Sequence, residues 1–196
     1  MGGRTGQSIK RPSQAKEVTP PAPAKSGVVT KEMYKAAGDK YKWTWMVKDG
    51  GYNEATIMKY TGGGFSDING ALFTNKMGAA DLQYAENLTT ALDALPNYSG
   101  TTWRGSDGYE PDDYYQKNIG SAIEWRGFLS TSKSREQAES FGMGPLFKIK
   151  SKKGKWIEKY SDIPEEQEVL FKPRTKFKVL KVEKGKGRDV VHLEEV

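Results

Sequence analysis

The spacing of the hydrophobic residues changes near Pro96. Before that residue, apolar side chains recur at helical spacing, most clearly in AADLQYAENLTTALDAL, where the recurring residues are Leu82, Ala85, Leu88, Leu92 and Leu95. We therefore predict that the folded region, which begins near Val28, starts with helices. The other helical patterns are 31–37, GYNEATIMKYTG at 51–62, which Gly62–Gly64 end, and DINGALF at 67–73.

Short apolar and aromatic runs separated by glycine-containing turns follow Pro96 and indicate β-strands. The segments SKKGKW (151–156) and EKGKGRD (183–189) are predicted hairpin turns, and SREQAESFG (134–142) is predicted to be a helix that interrupts the strands. Helices followed by strands predict an α+β fold. The predicted strand runs are TTWRG (101–105), SAIEWRGFLSTS (121–132), PLFKIKSKKGKWIEKY (145–160) and QEVLFKPRTKFKVLKVEKGKGRDVVHLEEV (167–196).

The first 27 residues differ in composition from the rest of the chain. They are rich in Pro, Ala, Ser and Gly, and residues 1–30 carry four of the chain's six net positive charges. Such a segment buries too little apolar surface to offset its ordering entropy, so we predict a disordered tail over 1–27 and one folded domain over 28–196. A basic tail fits a solubilising arm, or docking on a nucleic acid, a membrane or a delivery apparatus.

Residue counts exclude several classes of protein. The chain has no cysteine, which excludes a disulfide scaffold, a thiolate nucleophile and a Cys-ligated zinc site. Its one histidine, His192, lies in the strand-like run VVHLEEV, so we expect no metal site. No apolar run is long enough to span a membrane, and the N-terminus lacks the apolar segment of a Sec signal peptide. A Rossmann-type dinucleotide site is not supported, because no GxGxxG follows a strand.

Polar side chains with possible chemical roles first occur in two of the predicted strands. Arg104 precedes Gly105 in TTWRGS, where a fixed guanidinium would bind a phosphate or form a structural salt bridge. The hydroxyl run Ser130–Ser132 follows an apolar pair in GFLSTS. It marks either a site or a strand end, with Ser132 or Ser134 as the N-cap of the next helix.

A third candidate is the acidic segment EEQEVLF at 165–171. In an extended chain Glu166 and Glu168 lie on the same side. Two carboxylates so close repel each other, so we expect one pKa to rise, which suits a site where positive charge develops. The alternative is a solvated loop that enters a strand.

The order of these motifs, Arg, then Ser-Thr-Ser, then Glu-x-Glu, resembles the bacterial mono-ADP-ribosyltransferase toxins of the arginine–serine–glutamate class. The resemblance covers roughly residues 50–185 and implies two packed antiparallel sheets that form an NAD cleft, preceded by N-terminal helices. It rests on KYTGGGFSDINGALF (59–73), similar to a helical segment of those toxins, and on WRG (103–105), GFLSTS (127–132) and EQE (166–168), similar to their three motifs.

The resemblance implies a role for each matched residue. Arg104 would bind NAD, and Ser130 would hold the ribose or the glutamate. Glu168 would be the catalytic glutamate, and Glu166 would select arginine as the acceptor. These four residues form the predicted catalytic set, with no metal.

Further contacts follow from the same resemblance. Gly105 and Thr131, next to the motif residues, would contact NAD, and Phe141 would close over the nicotinamide. Tyr160, in the loop EKYSDIP, would recognise the protein substrate or pack locally. The family often has a second arginine beside the first, and here either Arg126 or Arg135 would have to replace it.

The implied function is transfer of ADP-ribose from NAD to an arginine of a target-cell protein, in competition between bacteria. The alternatives are an NAD glycohydrolase and a non-catalytic binding module on the same fold. Expected partners are the target protein, a cognate immunity protein and a component of a secretion apparatus that contacts the tail. We expect no nucleic acid and no membrane as partner. The expected location is the cytoplasm of a recipient cell, reached without a Sec signal peptide.

Overall fold

The structure, a computed structural model, describes residues 52–107, 110 and 113–196. The predicted tail over 1–27, the predicted helix over 31–37 and the domain start near Val28 lie outside these residues. The rest of the predicted helical half and all of the predicted strand runs lie within them.

In the described part of the chain, three helices precede Pro96, in the segments where hydrophobic spacing predicts them. They are α1 (Tyr52–Lys59), α2 (Phe65–Thr74) and α3 (Ala79–Asp93). A π-helical turn, Tyr60–Gly64, joins α1 to α2. Within it Gly63 has a φ of 113°, which residues with a Cβ rarely adopt. The glycines therefore end α1, as predicted.

The segment after Pro96 is mainly β-structure. Two short helices interrupt the strands, α4 (Tyr114–Lys117) and α5 (Arg135–Glu139), the latter within the helix predicted from SREQAESFG. The strands are β1 (Asn97–Gly105), β2 (Ala122–Trp125), β3 (Leu129–Ser132), β4 (Leu146–Trp156), β5 (Glu168–Phe171), β6 (Thr175–Glu183) and β7 (Val190–Glu195).

The described strands form a mixed sheet in the order β1-β3-β5-β4-β7-β6-β2, and β1 also pairs with β4. Neighbouring strands run antiparallel except β4 and β7, which are parallel. The hairpin predicted at EKGKGRD is confirmed, since Glu183 at the end of β6 pairs with Val190 at the start of β7. The α+β class with preceding helices is therefore confirmed.

The hairpin turn predicted at SKKGKW is wrong, because β4 continues through this segment. The backbone N–H groups of Lys152 and Lys153 both donate to one carboxylate oxygen of Glu195 at 2.6 Å. The N–H of Gly154 donates to the Ser151 hydroxyl at 3.1 Å. These side-chain acceptors satisfy the backbone where the strand is irregular. One long strand can therefore pair with β7 in its first half and with β5 in its second.

Buried hydrophobic residues of the described chain form two clusters, one on each face of β3 and β5. The first packs α1, α2 and α3 against Leu170 and Phe128. The second lies among the strands and includes Leu129 and Val169. All four residues of β5 are buried, because both of its faces are covered. No helix in the described part of the chain is long and apolar enough to cross a membrane.

Candidate active site

Arg104 lies near the end of β1, beside β3. Its Nη1 donates a hydrogen bond of 2.8 Å to the carbonyl oxygen of Ser130, and its guanidinium lies 5.7 Å from the centre of the Trp125 ring. Its Nε is buried and has no acceptor among the described residues. Burial lowers the Arg104 pKa from its usual value. A cation with a buried, unpaired donor is costly, and a bound anion would offset that cost.

The three hydroxyl side chains of β3, Ser130–Ser132, make different contacts. Ser130 is half-buried, and its hydroxyl lies 3.1 Å from the Tyr60 hydroxyl. Thr131 points to the other face, where its hydroxyl donates to the Val169 carbonyl at 2.6 Å. Ser132 accepts from the N–H of Ser134 at 2.9 Å. Ser130 and Ser132 share the face of β3 that carries Glu168, and Ser130 is the one whose carbonyl also binds Arg104. The predicted contact of Thr131 with NAD stays a prediction.

Ser134 caps α5, which settles the choice that the sequence left open. Its hydroxyl accepts from the N–H of Gln137 at 3.2 Å, and its own backbone is extended. A serine in this geometry satisfies one of the free N–H groups of the first helical turn. Ser132 supports the cap from the end of β3 and is not itself the N-cap.

Glu168 is the first residue of β5 and is 4% exposed. It pairs with Ser132 of β3, so its side chain lies on the same face as that of Ser130. Burial raises the pKa of Glu168 to about 7. The Glu166 charge raises this pKa further, whereas a hydrogen bond with the Ser130 side chain and the Arg104 charge lower it. The predicted rise is present, and desolvation is its main cause.

Glu166 and Glu168 do not share one side of an extended strand, which corrects the period-two prediction. Glu166 ends a 3-10 turn, Pro164–Glu166, and Gln167 has a left-handed backbone with a φ of 49°. The turn leaves Glu166 partly exposed while Glu168 points into the protein. The two carboxylates still interact, and partial burial raises the pKa of Glu166 as well.

Ser130 is supported by a hydrogen-bond network of Tyr60, Asn69 and Phe128 that the sequence analysis does not predict. Asn69 of α2 accepts from the Phe128 N–H at 2.8 Å and donates to the Phe128 carbonyl at 3.1 Å. It also donates to the Tyr60 hydroxyl at 3.3 Å, which in turn contacts Ser130. Gly127 leaves the space for this contact, because a Cβ there would lie 2.6 Å from the Asn69 side chain.

A signal for this network was present in the segment KYTGGGFSDINGALF, which contains both Tyr60 and Asn69. The segment is similar to the family's helical segment, but the sequence pattern alone does not show what either side chain contacts. Together the two residues connect α2 to the Ser130 end of the site.

Gly105 allows a close approach, as predicted, and the groups that approach it are backbone carbonyls of Ala138 and Phe141. A Cβ at this position would lie 1.8 Å from the Phe141 carbonyl oxygen and 2.3 Å from that of Ala138. The Phe141 ring is 46% exposed. The guanidinium of Arg188 donates to the Phe141 carbonyl at 3.1 Å and so holds this backbone near β1. Contacts of Gly105 and Phe141 with NAD stay predictions.

The other candidate residues lie at the margins of the site. Arg126 is exposed and donates to the Phe73 carbonyl at 3.5 Å. Arg135 pairs with Glu139 at 2.8 Å. Tyr160 packs partly against the helical core cluster, which matches the local-packing alternative. Whether these residues contact NAD or a protein substrate stays a prediction.

Metal ligands are not grouped in the described part of the chain. No three His, Cys, Asp or Glu side chains in it lie close enough together to hold a metal ion. The side chains that the strands bring together at the site are a buried carboxylate, a hydroxyl and a guanidinium.

Comparison with known proteins places this arrangement in a family. The family model of the NAD:arginine ADP-ribosyltransferases matches residues 57–196. A putative NAD(+)–arginine ADP-ribosyltransferase, Mav, of Mycobacterium avium is 31% identical over 143 residues, 71% of this chain and 17% of the relative. The NAD(+)–protein-arginine ADP-ribosyltransferase Tre1 of Serratia proteamaculans is 30% identical over 122 residues, 61% of this chain and 26% of the relative. The aligned regions thus span about a quarter or less of these two proteins.

Solved structures share the fold. Exoenzyme S of Pseudomonas aeruginosa, in a complex with human 14-3-3 protein beta and bound to carba-NAD, has a TM-score of 0.65 at 23% identity. The similarity covers 82% of each chain. The two proteins therefore have the same arrangement of helices and strands, despite low sequence identity.

Proposed function

Because the chain belongs to the NAD:arginine ADP-ribosyltransferase family, we propose that it transfers ADP-ribose from NAD to an arginine of a target protein and releases nicotinamide. The observation that carries this proposal is the grouping of three side chains on β1, β3 and β5. Glu168 is buried beside Ser130, and Arg104 is held by the Ser130 carbonyl with its Nε lacking an acceptor among the described residues.

Arg104 is the group that fits the diphosphate of NAD. A guanidinium stays protonated at physiological pH and presents donors in a planar fork that matches phosphate oxygens. One side of that fork is committed to the Ser130 carbonyl, and Nε lacks an acceptor in the described chain. In the related exoenzyme S, carba-NAD is bound to the same fold.

Glu168 supplies the charge that the reaction needs. The bond between C1′ of the ribose and the nicotinamide nitrogen breaks through a transition state with oxocarbenium character, and the nicotinamide leaves as a neutral molecule. A carboxylate fixed in a buried position stabilises that developing charge without reorganisation. The Ser130 side chain lowers the pKa of Glu168 and so favours the carboxylate, and the network of Tyr60 and Asn69 holds Ser130.

Glu166 acts on the acceptor. A charged guanidinium is a poor nucleophile, so the acceptor arginine must lose a proton as its nitrogen forms the bond to C1′. Glu166 is partly exposed at the rim and has a raised pKa, so it accepts this proton and passes it to water. The buried Glu168 therefore acts on NAD, and Glu166 at the rim acts on the acceptor arginine.

We propose a toxin as the biological setting. The chain would act on a protein in the cytoplasm of a recipient bacterium, with a cognate immunity protein in the producing cell. The basic tail over 1–27 would contact a component of a secretion apparatus. These points rest on the family resemblance and on the tail's composition.

The test uses NAD labelled on the adenylate part, incubated with bacterial lysate and the purified chain. We expect a discrete protein to take up label with the native chain, and the rate to fall on the order of 10²–10³-fold with Glu168→Gln. Glu166→Gln is expected to keep NAD cleavage and lose the labelled protein. Glu165→Gln, at an exposed neighbouring position, is the matched control and should retain both activities.

Two results would change the proposal. If the native chain consumes NAD but labels no protein in any lysate, and Glu166→Gln changes nothing, the enzyme is an NAD glycohydrolase. If the native chain neither labels protein nor consumes NAD, the fold serves as a binding module.

A further inference from the structure

A cavity of about 360 Å³ lies at the opposite end of β5 from the catalytic glutamate. Phe171, the last residue of β5, is part of its wall, and Glu168 is the first residue of that strand. Three residues of an extended strand span about 10 Å, so the cavity is separate from the candidate active site. None of the roles assigned above involves it.

The cavity wall is strongly basic. Two acidic side chains, Asp93 and Glu195, also line it. The five basic side chains in the wall are Lys153, Lys155, Lys172, Arg174 and Lys176.

Both acidic side chains already have partners. Asp93 accepts a hydrogen bond of 2.6 Å from the Lys172 ammonium. Glu195 is buried and accepts from the backbone N–H groups of Lys152 and Lys153. Arg174 is also paired, with Glu124 at 3.2 Å. Among the described residues, the cations of the wall that have no carboxylate partner are therefore Lys153, Lys155 and Lys176.

Lys155 is the unusual residue of this wall, because it is 6% exposed. Its ammonium donates to the Leu95 carbonyl at 2.7 Å, just beyond the C-terminal end of α3. An ammonium has three N–H donors, and within the described residues no second acceptor contacts it at hydrogen-bond distance. Burial lowers the Lys155 pKa. A bound anion would accept hydrogen bonds from the remaining N–H groups of this buried ammonium and would offset its charge.

We propose that this cavity binds a polyphosphate group, either free or carried by a nucleotide. Ammonium groups bind phosphate as point charges, and Lys153, Lys155 and Lys176 supply three of them. The volume is at the lower end of the range for small-molecule pockets. The ligand is therefore a small, multiply charged anion.

The test measures binding of inorganic tripolyphosphate and of ATP to the full chain by isothermal titration calorimetry at low salt. Glu168→Gln is the background, so that NAD is consumed on the order of 10²–10³-fold more slowly than by the native chain. We expect saturable binding at one site that persists with NAD at saturating concentration. Binding of tripolyphosphate alone indicates a free polyphosphate, and tighter binding of ATP indicates a nucleotide.

The deciding variant is Lys153→Gln with Lys176→Gln, which removes two exposed charges from the wall and leaves the buried Lys155 in place. We expect it to weaken binding at least tenfold. The matched control is Lys117→Gln with Lys178→Gln, two exposed lysines outside the wall, with an expected effect below twofold. Both double variants should keep the native melting temperature within about 2 °C.

Three results would overturn the proposal. The first is an absence of saturable binding at millimolar anion. The second is equal weakening in the two double variants, which would mean attraction to net charge only. The third is displacement of the anion by NAD, which would place it at Arg104 instead. Each is distinguishable from failure of the proposed transferase function, because the readout is binding by a variant that lacks the catalytic carboxylate.

Discussion

At the scale of single residues, folding and the proposed catalytic role of Glu168 favour opposite protonation states of its side chain. Burial favours the protonated form and raises the pKa to about 7, whereas the reaction needs the carboxylate. We therefore expect kcat/KM for NAD cleavage to be about tenfold lower at pH 6 than at pH 8, with an inflection near pH 7. Initial rates of nicotinamide release across this range measure it.

The outcome that contradicts this prediction is a flat profile between pH 6 and pH 8. The profile of Glu166→Gln separates the two carboxylates. If the inflection belongs to Glu168, it stays near pH 7 in this variant or moves lower, because the Glu166 charge raises the Glu168 pKa.

The same pKa predicts how Glu168 affects stability. The folded-state pKa lies above the unfolded value, so the free energy of unfolding falls as pH rises from about 4.5 to 7. A glutamine does not titrate, so Glu168→Gln is expected to be more stable than the native chain at pH 8. The upper bound on the gain is about 3 kcal/mol, and at pH 4.5 it should fall below about 0.5 kcal/mol.

Urea unfolding of both proteins at pH 4.5 and pH 8 measures this difference. Glu165→Gln is the control at an exposed position and should change the free energy of unfolding by less than about 0.5 kcal/mol at either pH. Equal stability of the native chain and Glu168→Gln at pH 8 would mean that the buried carboxylate carries no desolvation cost.

At the scale of elements, α2 positions the site through Asn69. Replacement by alanine leaves both the N–H and the carbonyl of Phe128 without the partner seen here. We expect Asn69→Ala to lower the free energy of unfolding by about 2–3 kcal/mol, because unsatisfied buried groups are costly. Urea denaturation measures the loss. A loss below about 0.5 kcal/mol would show that water replaces the side chain.

Tyr60 separates positioning from stability in the same network. Tyr60→Phe keeps the buried ring and removes only the hydroxyl that contacts Ser130. We expect kcat for NAD cleavage to fall several-fold with KM nearly unchanged, since NAD contacts are retained. Tyr114→Phe, on α4 and away from Ser130, is the matched control. Equal kcat in the two variants would rule out a positioning role.

The contact of α5 with β1 gives a second prediction at this scale. Gly105→Ala places a Cβ within 1.8 Å of the Phe141 carbonyl oxygen, and both groups are backbone-fixed, so α5 must move. We expect a loss of stability of about 2 kcal/mol or more and a higher KM for NAD. Gly70→Ala in α2, where a Cβ meets nothing within 4 Å, is expected to stabilise by about 0.5–1 kcal/mol. Thermal melts and NAD titrations distinguish the two.

The same elements show what local sequence can and cannot predict. The helices, the strand runs and the order Arg104, Ser130, Glu168 are local patterns, and strand pairing brings the three residues together as the resemblance implies. The turn predicted at SKKGKW failed because its backbone donors are satisfied by Glu195, more than 40 residues away. Periodicity carries no information on such long-range partners.

The hydrophobic and polar pattern also does not predict the backbone conformation at Glu166 and Glu168. A period of two assumes extended residues, but Gln167 has a left-handed backbone that ends a 3-10 turn. Glutamine is not a residue that sequence patterns associate with that conformation, since glycine and asparagine are favoured there. The division between buried Glu168 and rim Glu166 therefore came from the structure.

At the scale of the whole molecule, the described residues hold the parts needed for a folded domain. They contain two buried clusters, and the family model matches residues 57–196. We propose that the segment 1–27 adds neither stability nor catalysis, because its composition offers almost no apolar surface to bury. The segment would act only in partner contacts.

Deletion of residues 1–27 tests this proposal. We expect the free energy of unfolding to change by less than about 0.5 kcal/mol, because removing a chain that buries no surface removes no folding energy. We expect NAD cleavage to stay within twofold, because all the proposed catalytic side chains lie on β1, β3 and β5 and in the turn before β5. Replacement of the tail's five basic residues by glutamine is the control for charge. A stability loss above 1 kcal/mol in the deletion, but not in the charge-neutral tail, would mean that part of 1–27 packs against the domain.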